Sequence, residues 1–589
     1  MSTQGAEAAA GPGAPRGRVP DAAHPGATAT VTRADETHLD AQELRQLRVL
    51  RQTGTTGALL IAVGSVSSYG AANPIPNPVD GLRIIGLLSR VGPASLAVSY
   101  AGMGLVVLAW YLLGRLTTPG RIRRLTRPQL THTLAMWAVP FLVTPPLFSR
   151  DVYSYLAVGK MMSLGFNPYD SGPLDVLGDG DAFAHQVDAK WQHTATPYGP
   201  AFLLIARAIV GVSGSHVILA VLLQRLVELI GVALIVWALP RLARRSRVDP
   251  ISALWLGALN PLVLFHLVAG AHNEALMIGM MMAGLVVALD RSVILGTVLL
   301  TGAVGVKATA GLALAFLVVA LALRAGGAWK DLWRWGLRVG AVFVGTFALL
   351  TLLAGVGVGW LAALNTPGLI RSFLSVTTAV SVVTGAAGTL LGLGDQTEGV
   401  LDVLHPLGTV VGTVLAGYVL WRCWRRGFDP VLGLGVAIGL FVILSPVVQP
   451  WYLLWAALPL AASTAVARYR DVTVAITMAL SVMIMPSGSV IRPLIIAQAA
   501  LAAAVVAVAA WYLLRRRRLI PISEWDRWLM ASAKLARLRH PSAAGRRIPV
   551  RGPAAADPGP GIPPAPDAEV TPPGPDHHSA SAPPSRGQT

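Results

Sequence analysis

What most constrains this chain is the number of apolar stretches it must hide from water. Stretches of membrane-spanning character lie at 56–72, 94–116, 130–148, 216–239, 251–268, 275–290, 293–306, 308–323, 338–361, 401–421, 430–447, 451–467, 472–486 and 493–514. A helix needs about 20 apolar residues to cross ~30 Å of hydrocarbon, so a chain of 589 residues has room for many such crossings. Several stretches are short, and neighbours such as 293–306 and 308–323 read as helices joined by tight turns. Only 13% of residues are charged, against roughly 25% in an ordinary soluble domain. With 54% hydrophobic residues and a mean hydropathy of +0.59, a soluble globular protein is excluded. The expected fold is an all-α polytopic membrane bundle of about 13 to 14 helices, with one long extracytoplasmic loop carrying juxtamembrane helices.

The +18 net charge supplies the orientation. With a cytoplasmic N-terminus, the inside loops hold Arg121, Arg123, Arg124 and Arg127, then Arg241, Arg244, Arg245 and Arg247, then Arg324, Lys330, Arg334 and Arg338. Arg422, Arg425 and Arg426, Arg468 and Arg470, and Arg515 to Arg518 continue on the same side, as the positive-inside rule asks. The agreement requires that 198–212 does not span, and at about 15 residues it reads as a juxtamembrane helix in the outer leaflet. The excess charge is therefore membrane anchoring, and the expected partner is a lipid bilayer rather than nucleic acid. Cys423 is the sole cysteine, which removes any internal disulfide framework and any Cys-based metal site. Residues 1–44 and the Pro/Ala-rich 541–589 read as disordered tails around a membrane domain at 45–515. Residues 516–540 read as a basic amphipathic helix on the inner leaflet.

The polar residues concentrate in the turns on the other side. The longest such loop, 149–197, is acidic, aromatic and punctuated by Pro and Gly, and a second, 362–400, has the composition of a lid. SRDVYSY at 149–155 places Asp151 at the membrane boundary, where partial desolvation suits a general base; an Arg150–Asp151 interfacial ion pair is the competing reading. His272, Asn273 and Glu274 are consecutive at a turn and can fan into one cavity, with Asn273 also suited to capping the next helix. Lys307 is an ionisable group in a tight turn between apolar helices. Gln449, Trp451 and Tyr452 form another turn, and Arg371 and Arg492 are further cations that could hold a phosphate together with Lys307. Arg225 and Glu228, three apart, are placed to pair on one helix face. Asp179-Gly180-Asp181 has the DxD pattern of metal-holding sugar transferases, yet it lies in a Gly/Asp-rich loop that an ordinary turn explains.

The set SRDVYSY, GFNPYD, TPYGPAF, NPLVLFHLVAGAHNEALM, GVKATA and SPVVQPWYLLW resembles the actinobacterial α-1,6-mannopyranosyltransferases of the MptA/MptB family, within the GT-C superfamily. The resemblance covers residues 50 to 515. It implies an enzyme that transfers mannose, with inversion, from polyprenyl-phosphate mannose to the α-1,6-mannan of lipomannan and lipoarabinomannan. The partners implied are that donor, a mannan-bearing glycolipid acceptor and the bilayer. No cofactor is implied, and a divalent metal is compatible with the motifs without being indicated by them. Asp151 matches the family's loop aspartate and is the implied base. Lys307, Arg371 and Arg492 are the implied phosphate ligands; His272, Asn273, Glu274, Gln449, Trp451 and Tyr452 line the sugar site; Arg150 orients Asp151 or touches the phosphate. The implied setting is the plasma membrane, with both termini cytoplasmic and the active site outside. A transferase of another polyprenyl-phosphate sugar, or a polytopic lipid or sugar transporter, remains the alternative. Transporters tend to carry internal repeats and midplane charges, whereas here no repeat is visible and the polar motifs sit in turns.

Overall fold

The computed structural model describes residues 39–121, 124–364, 366, 372 and 374–488, together with positions 497 and 501. Helix makes up 74% of the structure and no strand occurs among the described residues, so the fold is all-α. Among the described residues, four helices are long and apolar enough to cross a membrane: Gly92–Thr117, Val217–Arg245, Trp329–Ala354 and Thr397–Arg426. Val263–Ala269 and Glu274–Asp290 form a bent apolar pair meeting at 108°, the geometry of a broken span or a re-entrant loop. Of the other stretches expected to span, several form shorter apolar helices such as Val293–Val306, Ala308–Arg324 and Pro430–Leu444. The segment 198–212 becomes the 14-residue helix Pro200–Ser213, too short for a full crossing. Arg371 and Arg492, the Arg515–Arg518 cluster, the 516–540 segment, residues 1–38 and the tail at 541–589 lie outside the described residues. The expected boundary of the N-terminal tail at residue 44 is corrected, because the helix Ala41–Gly64 already begins before it, capped by Asp40, whose side chain accepts the Glu43 N–H at 2.8 Å.

The Val217–Arg245 helix shows why the bundle needs lipid around it. Ile218, Leu222, Leu226 and Ile230 recur every fourth residue and are 56%, 39%, 57% and 54% exposed. Gln224, Arg225 and Glu228, on the opposite face, are buried. An apolar outer stripe over a polar inner one inverts the soluble pattern and is stable only where the surroundings are hydrocarbon. The inner face lies close to the Glu274–Asp290 helix because glycines face each other there. A Cβ at Gly231 would stand 2.3 Å from the Ala275 carbonyl carbon, and one at Gly279 would stand 2.4 Å from the Gly231 oxygen. Small residues at such a crossing let two backbones pack closely enough for dispersion and hydrogen bonds to hold them.

Arg225 and Glu228 do not pair, contrary to the expectation from their spacing. Arg225 donates to the main-chain oxygens of Val268 at 3.2 Å, Leu142 at 2.9 Å and Ala269 at 3.1 Å. Glu228 accepts the Leu276 N–H at 3.0 Å and is held by Gln224 Nε2 at 2.6 Å. The two side chains therefore grip opposite sides of the same break: the cation binds the carbonyl end of one segment and the carboxylate binds the amide end of the next. That is the electrostatic preference of helix ends, and it satisfies backbone groups that no water would reach.

Candidate active site

The break between Ala269 and Glu274 is the centre of the site. His272, Asn273 and Glu274 occupy it and are fully buried. Gly270 is required there, since a Cβ would lie 2.7 Å from the His266 oxygen and 2.8 Å from the Leu147 oxygen. Ala271 follows at φ 50°, a left-handed conformation uncommon for a residue with a side chain. The neighbouring strand of chain is similarly forced: Leu147 N–H bonds to Ala269 O at 3.3 Å, Phe148 N–H bonds to Pro486 O at 2.7 Å, and Phe148 has φ 68°. Backbone held in such conformations marks places where surrounding contacts over-determine the chain, a common property of functional sites.

Asp151 begins the helix Asp151–Ser163, where the helix dipole favours a carboxylate, and its N–H bonds to Ser149 Oγ at 3.0 Å. No ion pair joins it to Arg150. Arg150 instead donates to Gln186 O at 2.9 Å, Asn73 O at 3.1 Å and Gln186 Oε1 at 3.2 Å, and lies 4.8 Å over the Tyr153 ring. Burial pulls its guanidinium below its ordinary pKa, with Tyr153 and Asp188 opposing that shift. Arg150 thus ties the start of the Asp151 helix to two other segments, and Asp151 is left free to face the site.

The side chains there form a connected set. His272 Nδ1 stands 3.6 Å from Asp151 Oδ2, 3.7 Å from Glu274 Oε2 and 3.5 Å from the Tyr155 hydroxyl. Glu274 Oε1 is ion-paired with Lys307 and accepts Trp451 Nε1 at 3.1 Å. Trp451 covers His272 with ring centroids 4.1 Å apart. The Lys307 ammonium faces the rings of Tyr452 at 5.2 Å, Trp455 at 5.6 Å and Tyr198 at 5.7 Å, a range in which aromatic faces attract cations. Asp151, at 15% side-chain exposure, and Lys307, at 14%, are the charged groups of this set that reach open space, whereas Glu274 does not.

The expected residues Asp151, His272, Glu274, Lys307, Trp451 and Tyr452 are thus brought together, as the fan-like turn anticipated. Asn273 departs from its expected capping role: its side chain caps nothing, both its polar atoms are buried without a partner, and Glu228 serves the helix start instead. Gln449 contributes its main-chain oxygen, which accepts the Tyr452 N–H at 2.9 Å. His266, which is not among the residues expected from the sequence, also belongs to this cluster. It packs 5.0 Å from Trp451 and 6.0 Å from His272, and neither ring nitrogen has a partner. A histidine inside an apolar span was the signal for it. Buried polar atoms without partners at His266, His272 Nε2, Asn273 and Glu274 Oε2 are rare in proteins and point to a polar ligand.

In the DxD, Asp181 Oδ1 accepts the N–H groups of Phe183 and Ala184 at 2.9 and 3.0 Å, the ordinary work of a turn aspartate. Among the described residues no group of three His, Cys, Asp or Glu side chains converges as a metal site.

Comparison with known proteins places the sequence in a family. The family model described as the α-(1→6)-mannopyranosyltransferase N-terminal domain matches residues 51–323, and the one described as the MptB C-terminal domain matches residues 377–513. A probable α-(1→6)-mannopyranosyltransferase of Mycolicibacterium smegmatis is 42% identical over 75% of this chain and 83% of its own. An α-(1→6)-mannopyranosyltransferase of Mycobacterium tuberculosis is 38% identical over 72% of this chain and 80% of its own. The α-(1→6)-mannopyranosyltransferase B of Corynebacterium glutamicum is 34% identical over 77% and 79%. No solved structure matches the chain.

Proposed function

Because the chain belongs to the α-(1→6)-mannopyranosyltransferase family, a family of membrane mannosyltransferases, we propose that it moves mannose from polyprenyl-phosphate mannose to a growing α-1,6-mannan, the backbone of lipomannan and lipoarabinomannan. The supporting observation is the convergence of Asp151, His272 and the Glu274–Lys307 pair on one partly open site. In this reading Asp151 takes the proton of the acceptor 6-hydroxyl. The acceptor oxygen bonds to the anomeric carbon as the bond from that carbon to the phosphate oxygen breaks, and the electron pair leaves with the phosphate. A β-linked donor then gives an α product in one inverting displacement. Lys307 faces the departing charge: Glu274 and three aromatic rings fix its ammonium, which has three donors and gives one to Glu274. His272 orients Asp151, Trp451 backs His272, and the half-buried Tyr452 offers an aromatic face for a pyranose ring.

The proposed setting is the plasma membrane, with both termini cytoplasmic and the site outside, since the basic loops then share the inner side. The catalytic loop of this reading runs from 149 to 212 within a membrane domain at 45–515, and no cofactor is invoked. The test is mannose transfer in isolated membranes to a short α-1,6-mannoside, comparing the intact chain with Asp151→Asn at matched expression. Loss of a general base lowers turnover by about 10²–10⁴-fold, and undiminished activity in the variant would remove Asp151 from this role.

A further inference from the structure

Away from the catalytic cluster, a cavity of about 550 Å³ opens where three segments meet. They are the proline-rich turn 74–78, residues 179–186 of the long loop, and residues 215–218 at the start of the Val217–Arg245 helix. Its volume lies in the range of ligand pockets. One buried residue joins it to the catalytic centre. Gln186 lines the cavity, exchanges two hydrogen bonds of 2.8 Å with the Ile75 backbone, and holds Arg150 through both its side-chain and main-chain oxygens. Arg150 is the residue before Asp151, so cavity wall and base stand on the same rigid connection.

The lining decides what such a cavity can take. Its ionisable members are Asp179, Asp181, His185 and His216, and it contains no lysine or arginine. A lipid phosphate would meet carboxylates with no opposing cation, which disfavours the donor here. No group of three metal-ligating side chains exists among the described residues. Asp179, His185 and His216 make no side-chain hydrogen bond or ion pair among the described residues, which leaves acceptors and donors for hydroxyl groups. The prolines and Ile75 supply apolar surface suited to the C–H faces of sugar rings.

We propose that this cavity is a subsite for the neutral acceptor saccharide, holding the sugar units behind the one whose 6-hydroxyl is presented to Asp151. The assignment of an acceptor rests on the mannosyltransferase reading; the match to a neutral polyol rests on the lining alone. Asp179→Ala and His216→Ala are the informative changes, since both side chains are exposed and neither supports the fold by a bond. Asp181 is left intact because it caps the turn.

The experiment uses the full chain in lipid nanodiscs, with a long and a short α-1,6-mannoside. Direct titration without donor comes first, followed by transfer kinetics. Loss of one hydroxyl contact weakens binding by about tenfold. The expected result is a tenfold weaker Kd and higher KM for the long mannoside in either variant, with the short mannoside, the donor KM and the melting temperature unchanged. Unchanged affinity for the long mannoside, or an equal loss for donor and acceptors, overturns the subsite. If the intact chain binds the long mannoside, the variants lose it, and none transfers mannose, the cavity stands as a saccharide site while its assignment to the acceptor falls with the transferase reading. If transfer is normal and binding is indifferent to both variants, the transferase reading stands and the subsite falls.

Discussion

The Glu274–Lys307 pair is unequal in its surroundings, and that inequality has a measurable consequence. Lys307→Met leaves the Glu274 carboxylate fully buried with Trp451 Nε1 as its donor and Oε2 without a hydrogen bond. An uncompensated buried charge of this kind costs about 3–5 kcal/mol. Glu274→Gln instead strands an ammonium that is 14% exposed and faces three aromatic rings within 5.7 Å. Cation–π attraction of roughly 0.5–2 kcal/mol and partial hydration each offset part of that loss, so the cost is smaller than for Lys307→Met, about 1–4 kcal/mol. The double variant carries neither charge and should be destabilised by no more than about 2 kcal/mol, well short of the sum. The difference is the coupling energy of a contacting pair. The assay is thermal unfolding in detergent followed by tryptophan fluorescence, with mannose transfer measured on the same samples. Lys307→Met should melt lowest, the double variant should recover most of the stability, and none should regain turnover, because the phosphate has lost its cation. A Lys307→Met protein as stable as the parent, or a double variant whose loss equals the sum, would refute the reading of a buried, mutually compensating pair.

Other consequences follow from the same geometry. Gly270→Ala forces a Cβ to within 2.8 Å of His266 O, His272 Cδ2 and Leu147 O, so it should cost about 1–3 kcal/mol and lower kcat by displacing His272; an unaltered kcat would count against the tight turn. Arg225→Leu removes three donors from main-chain oxygens inside the bundle, at about 0.6–2 kcal/mol each, and should be clearly destabilising in the same melting assay. Arg225→Lys, with no planar fork, should rescue it only in part. Asp175 is held below its ordinary pKa of 3.8, first by its 2.6 Å hydrogen bond to His193. A lowered carboxylate pKa stabilises the folded loop above the unfolded value and loses that effect as pH falls through the folded one. Hydrogen exchange across 172–194 should therefore accelerate, relative to its intrinsic rate, as pH falls below the ordinary carboxylate range; Asp175→Asn should abolish that acid step.

The single-cysteine, low-charge, apolar composition was sufficient to require a helical membrane protein, because a chain with so few charges cannot present a wetted surface. The turns that carry Asp151, the His272–Glu274 triplet, Lys307 and Trp451–Tyr452 were also legible, since polar residues interrupting apolar runs are costly and stand out. Local pattern misled where side chains had long-range choices. Arg225 and Glu228 have the spacing of an intrahelical pair, yet each is drawn to an unsatisfied helix end. Arg150 adjoins Asp151 in sequence but reaches Gln186, 36 residues away. Asn273 has the composition of a cap, but Glu228 arrives first from another helix.

What the sequence determined by itself is the hydrocarbon environment, the helical class and the family, all of which depend on composition and on runs of neighbouring residues. What only the tertiary structure decided is which charges compensate one another: that Glu274 neutralises Lys307, that His272 leans on Asp151, and that His266 lies against Trp451. Inside a low-dielectric bundle each charge or polar group must find its partner within a few ångströms. The nearest partner in space is set by helix crossings such as Gly231 on Gly279, and spacing along the chain does not reveal it.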